Sequence, residues 1–222
     1  MVVISAGPGH LNAALSDAVR LGVVVTAAAG DMLATDAVDD DLVHVNFPAS
    51  SPYVLACGGS RIELAADRNS IASEVVWNDG IRGTGGGVSE VFDVPDYQHG
   101  VTVPASASTG KLGRGVPDVA AAAAETNGYR IFVNRQQVLQ GGTSGVAPLW
   151  AAFVALINAE RGVAIRRMHP LLYGDASLFR SIVDGNNKYG LLGYEAGPGW
   201  NACAGLGAPR GAAILAKATG VS

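Results

Sequence analysis

Charge is scarce in this sequence: Asp, Glu, Lys and Arg make up 15% of its 222 residues, against roughly 25% in an average soluble domain. The 15 basic residues are outnumbered by 19 acidic ones and form no stripe, which argues against a nucleic-acid partner. Cysteine is nearly absent. Cys57 and Cys203 are too few for a disulfide framework, and their spacing is not that of a metal site. Aromatic residues reach only 6% although hydrophobic residues reach 49%, so the apolar mass is Ala, Val, Leu and Ile, a content that excludes disorder. Long apolar runs are missing too. The most apolar stretch, Val146 to Asn158, falls short of the roughly 18 residues of a membrane span and reads as a core helix, so no membrane partner is expected. Met1 to Gly7 have neither a charged start nor a long apolar stretch, so no signal peptide is expected. Glycine is abundant, 30 of 222 residues, about twice the usual share. The length fits one domain, taken here as residues 1–222.

Residues 2–5 read as a buried strand, and Leu11 to Leu21 show apolar positions at helical spacing with Gly22 where a C-cap prefers glycine. Val23 to Ala27 is a continuous β-branched run, as in a parallel strand buried on both faces. Strand, helix and strand form a βαβ unit. Val54 to Cys57 is a further short strand, expected to end at Gly58-Gly59. From Trp77 to Gly115 no periodicity is sustained, and a loop that long is usually functional. Val119 to Ala124 fits a short helix or a strand, and Tyr129–Val133 with Gln137–Gln140 fits a hairpin turning at Asn134-Arg135. Thr143 to Glu160 is the strongest helix, apolar nearly all round and therefore expected to be buried. Ala208 to Ala218 closes the chain as a helix.

Two places carry candidate chemistry. Gly141-Gly142-Thr143-Ser144-Gly145 delivers a serine to the start of that helix, where amides and the positive dipole end favour developing negative charge. Ser144 fits either a nucleophile or a plain helix N-cap. Asp31 follows the buried strand at Val23 to Ala27, beyond the carboxyl end where open α/β sheets bind ligands. It fits either a site carboxylate or a cap.

Further motifs occur in order. They are Phe47-Pro48-Ala49-Ser50-Ser51-Pro52-Tyr53-Val54 with Gly58-Gly59, then Gly85-Gly86-Gly87-Val88-Ser89, then Gly113-Arg114-Gly115-Val116-Pro117-Asp118-Val119. Gly141-Gly142-Thr143-Ser144 and Gly199-Trp200-Asn201 with Gly205-Leu206-Gly207 complete the series. Through these motifs the sequence resembles the sedolisins, the serine-carboxyl peptidases, over essentially its whole length. The resemblance implies an α/β, subtilisin-like fold with a mostly parallel sheet flanked by helices, the N-terminal part of the family domain missing. It implies peptide-bond hydrolysis with Ser144 as nucleophile and Asp31 as the oxyanion-hole carboxyl group, which must be protonated to donate and so suits work in acid. A peptide or protein substrate is implied, with Ser5, Ala6 and Gly7 pairing with its backbone, Gly85, Gly86 and Gly87 offering an added-strand site, and Gly142 and Thr143 beside the nucleophile. The family is typically secreted.

The sequence also departs from the family. Its general base is a Glu oriented by an Asp four residues later, and no such pair is present here. Asp17 lies on a helix without Glu, and His10, His44, His99 and His169 match no catalytic position and read as surface or loop residues. The family's Ser-Trp-Gly is Ser5-Ala6-Gly7 here. The family's single calcium ion, held by two aspartates and backbone carbonyls, maps to Ile182, Gly197, Gly199 and Asn201. Ser181 and Asn201 stand where the carboxylates belong, and Ca²⁺ affinity falls as ligand charge is removed, so weak or absent calcium binding is expected. Asp184 is the nearby carboxylate. Two readings follow: a truncated, inactive relative that persists as a binding or structural protein, or a subunit or fragment of an acid endopeptidase completed by another chain. The apolar edge at Val2-Val3-Ile4 predicts a homodimer or a complementing chain.

Overall fold

The computed structural model describes residues 8–220. The strand expected over 2–5, with Ser5, Ala6, Gly7 and the edge at Val2-Val3-Ile4, lies outside the described residues. Helix α1 (Pro8–Arg20) buries Leu15 and packs on strand β1 (Val25–Ala28). No helix among the described residues is long and apolar enough to cross a membrane.

Strand β1 pairs in parallel with strand β2 (Val54–Leu64). The expected stop at Gly58-Gly59 is overturned, because β2 runs straight through both glycines. A Cβ on Gly58 would stand 2.6 Å from Pro117, and one on Gly59 would stand 2.7 Å from Ala123. The glycines therefore mark close approach of neighbouring chain rather than a turn. Strand β6 (Val119–Ala122) lies parallel along Cys57–Ser60, which decides between the helix and strand readings of that segment. Past Ser60 the antiparallel strand β3 (Ile71–Val76) continues the sheet opposite β6. The charged and polar residues of 61–74 interrupt the apolar alternation that marks a strand.

The long glycine-rich middle is loop as expected, apart from a 3-10 turn at Asp96–Gln98 and the two-residue strands β4 (Gly87–Val88) and β5 (Gly115–Val116), which pair with each other. The hairpin forms from β7 (Tyr129–Val133) and β8 (Gln136–Gln140). Asn134 and Arg135 both have positive φ, 49° and 63°, as a two-residue primed turn requires. Arginine gains nothing from this conformation, which for an L-residue with a Cβ carries a penalty of about 1–2 kcal/mol. Arg135→Gly is therefore expected to raise stability by about 1 kcal/mol, read as a higher urea midpoint at unchanged slope.

Helix α2 (Thr143–Arg161) buries Val146, Trp150, Val154 and Ile157, one stripe at helical spacing against β1, β2 and β6. The expectation of burial all round is overturned: Leu149 is 45% exposed and Leu156 63%. Low polarity does not by itself mean burial: the sheet covers one stripe and the C-terminal helix over Gly211–Thr219 packs on another part, which leaves Leu149 and Leu156 facing outward. After α3 (His169–Tyr173), strands β9 (Phe179–Arg180) and β10 (Ala208–Pro209) pair antiparallel. The last helix, α4 (Gly211–Thr219), thus starts later than expected, because Ala208 and Pro209 are taken into a strand pair.

Candidate active site

The carboxyl end of β1 and the N-terminus of α2 meet at one point. Asp31 follows β1 by three residues, and its Oδ1 accepts a hydrogen bond from the Thr143 N–H at 2.7 Å. The Thr143 hydroxyl lies 2.7 Å from the same oxygen, and it accepts from the Gly30 N–H at 3.2 Å. Thr143 is fully buried, while the Asp31 side chain keeps 24% of its surface exposed. Ser144 is the second residue of α2 and is exposed.

This geometry removes one of the two readings of the serine. The N-cap of α2 is Gly142, with no side-chain cap, so Ser144 is not a capping residue. Asp31 takes over that role from a distance by receiving the first N–H of the helix. Gly142 has φ +97°, and a Cβ there would stand 2.6 Å from Asp31 Oδ2. Only glycine lets the turn and the carboxyl group pack so closely.

Arg82 and Glu125 join the site and had no signal in the sequence. Arg82 Nη2 is 3.6 Å from Asp31 Oδ2, its Nη1 is 2.6 Å from Glu125, and its guanidinium lies over the Trp77 ring. The three charged residues come from separate loops, so only folding brings them together.

Of the other expected site residues, Gly85 donates its N–H to Gly30 O at 2.8 Å and forms part of the floor. The added-strand site expected at Gly85, Gly86 and Gly87 needs correction. All three are buried, and Gly87 is already paired with Val116. The run is glycine-rich because neighbouring chain presses on it, including Ala29-Gly30 at Gly85 and Tyr194 at Gly87.

The histidines also differ from expectation in one case. His44 pairs with Asp40 at 2.9 Å, but His169 is buried at 2% exposure and is neither a surface nor a loop residue. Its Nε2 lies 3.0 Å from Val54 O and 3.3 Å from Asp118 Oδ2. Asp118 is fully buried and accepts from Arg114 Nη2 at 2.6 Å, Ala56 N–H at 2.7 Å and Tyr173 OH at 2.8 Å. Burial alone would raise the Asp118 carboxyl pKa, yet Arg114 and then His169 hold it well below the usual carboxylate range. Asp17 is on the surface, paired with Arg20.

At the expected calcium position, Ile182 and Gly197 present carbonyl oxygens to one point, but the Asn201 amide nitrogen fills it, at 3.0 and 3.1 Å. Gly199, with φ +77°, has nothing within 4 Å of where its Cβ would be. Among the described residues no three His, Cys, Asp or Glu side chains are grouped to hold a metal. The donor set does not fit calcium.

A helix whose N-terminus meets the carboxyl end of a parallel strand, on a mostly parallel α/β sheet, is the layout of a subtilisin-like fold. Sphericase, a solved structure, shares that fold with a TM-score of 0.57 at 18% identity. The solved structure of Pseudomonas sedolisin (serine-carboxyl proteinase) complexed with two molecules of pseudo-iodotyrostatin gives a TM-score of 0.80 at 27% identity, covering 92% of this chain and 58% of that one. Kumamolisin of Bacillus sp. (strain MN-32) is 49% identical over 211 residues, 92% of this chain and 38% of its own length. The chain belongs to the sedolisin family and matches the C-terminal part of its members. It spans less than half the length of the kumamolisin it matches. No protein-family model matches the chain.

Proposed function

We propose that this chain supplies the nucleophile and the oxyanion side of a peptide-hydrolysing site that works in acid, and that it is inactive alone because the general base lies outside these 222 residues. The observation that carries the reading is the bond between Asp31 Oδ1 and the Thr143 N–H. It sets a carboxyl group against the residue before Ser144, at a helix N-terminus. Ser144 Oγ attacks the scissile carbonyl to give a tetrahedral oxyanion. Because Thr143 occupies Oδ1, the proton that Asp31 donates to this oxyanion sits on Oδ2. The α2 amides add their dipole. The serine proton passes to the base.

A second reading, a peptide-binding protein without turnover, draws on Arg82. It lies 3.6 Å from the same Oδ2 and ties it to Glu125, which competes with donation to an oxyanion. Calorimetric titration in acid with a short peptide aldehyde and the matching peptide alcohol separates the two. Turnover needs the base, but hemiacetal formation is a reversible addition that moves the Ser144 proton onto the aldehyde oxygen. At equilibrium the aldehyde is therefore expected to bind about tenfold tighter or more. That preference should vanish in Ser144→Ala and shrink in Asp31→Ala. Equal binding of both compounds would favour the second reading and sink the first.

A further inference from the structure

We infer that the side-chain amide of Asn201 replaces a cation, so that the loop from Ser181 to Gly205 holds its shape through hydrogen bonds and needs no calcium. The reasoning starts from a full account of one buried side chain. Asn201 is 7% exposed. Its Nδ2 donates to Ile182 O at 3.0 Å and Gly197 O at 3.1 Å. Its Oδ1 accepts from the N–H groups of Cys203 at 3.2 Å and Ala204 at 3.0 Å. An amide has two N–H donors and two carbonyl lone pairs, so every bond it can make is made.

The two backbone N–H groups also fix which atom is oxygen. Turned the other way, the NH₂ group would face two donors and the oxygen two acceptors. The nitrogen therefore stands where two carbonyls converge, the position at which a hard cation would accept electron pairs from them. A neutral amide does this work with protons instead of charge.

The electrostatics explain why one atom decides the matter. An aspartate at this position keeps the bonds from Cys203 and Ala204, but its second oxygen would face two carbonyl oxygens with no proton between them. Three converging oxygens, one of them anionic, repel each other unless a cation bridges them, and that is a partial calcium donor set. Asparagine removes both the repulsion and the need for the ion. This holds whatever Ser144 does, since the loop's hydrogen bonds do not involve Asp31 or Thr143.

Thermal melts of the purified chain in excess calcium chloride, excess magnesium chloride and chelator test the inference. The wild-type curves are expected to coincide, because a ligand raises stability only if it binds the native state. Asn201→Ala is expected to melt lower by roughly 4–8 °C in all three, with no response to calcium. Asn201→Asp is expected to melt lower in chelator and to recover in calcium but not in magnesium, with Ser181→Asp/Asn201→Asp responding more strongly. If Asn201→Asp can be purified only with calcium present, chelator should unfold it. A calcium-dependent rise of several degrees in the wild type would overturn the inference. So would an Asn201→Ala curve that matches the wild type, which needs no cooperation from the aspartate variants. An Asn201→Asp variant that folds and ignores calcium would show that the amide does not stand at a cation position.

Discussion

Incubated with a quenched fluorescent peptide library from acid to neutral pH, the 222-residue chain by itself is expected to hydrolyse no faster than its Ser144→Ala variant. A serine hydroxyl is a weak nucleophile until a base takes its proton, and general-base assistance is typically worth roughly 10²–10⁴-fold. Residues that act as one catalytic unit lose nearly everything when one member is absent. Among the described residues the ionisable groups around the turn are Asp31, Arg82, Glu125 and Tyr129, whose hydroxyl donates to Ala122 O at 2.7 Å, and each has another engagement. Asp31 is bonded by Thr143, while Glu125 is held 2.6 Å from Arg82. His44 and His169 are occupied by Asp40 and Asp118. Turnover that disappears in Ser144→Ala would refute this expectation. Glu125→Gln would then be the next variant, because Glu125 is the carboxylate that Arg82 brings alongside Asp31.

The second large effect concerns stability. Replacing Asp118 with Ala leaves Arg114 charged in a fully buried place without its partner, and also strips acceptors from Ala56 N–H and Tyr173 OH. Breaking a buried pair in this way is expected to reduce stability by about 3–5 kcal/mol, read from urea midpoints. Asp118→Asn keeps the shape and removes the charge, so it isolates the electrostatic part. The pH dependence follows from the direction of the shift. The folded carboxyl group titrates below its unfolded value of about 3.9, so its contribution is fully present above that value and is lost as pH falls towards the folded one. The gap between wild type and Asp118→Asn should therefore stay constant from neutrality down to about pH 4 and narrow below it. A gap that closes between pH 7 and pH 5 would show that another group controls the network.

Much of this protein could be read before folding was considered. The helix before Gly22, the β-branched run leading to Ala28, the hairpin at Asn134-Arg135 and the start of α2 at Thr143 all rest on local rules. Those rules are side-chain spacing, glycine at a helix end, turn residues with positive φ, and a glycine-rich entry to a helix. Ser144 and Asp31 were legible for a related reason: each sits at the end of an element whose pattern is periodic. The ordered motifs, from Phe47 onward to Gly207, extended the reading to a family.

Other features depend on distance in space, and no window of sequence contains them. Gly58 and Gly59 look like a stop until Pro117 and Ala123 are seen packing where side chains would be. Gly85, Gly86 and Gly87 look like an open strand edge until β5 and Ala29-Gly30 close over them. Arg82, Glu125 and Asp31 are unrelated residues until three loops converge, and His169 is an ordinary histidine until Asp118 lies beside it. That Ser181 and Asn201 stand where the resemblance puts carboxylates was visible, but not that the Asn201 amide donates to both Ile182 O and Gly197 O. The sequence by itself determined most of the local elements, the family and the two candidate side chains, because those depend on neighbours along the chain. Only the tertiary structure decided which polar groups satisfy one another, because a buried donor or acceptor takes its partner from whatever the fold brings within about 3 Å.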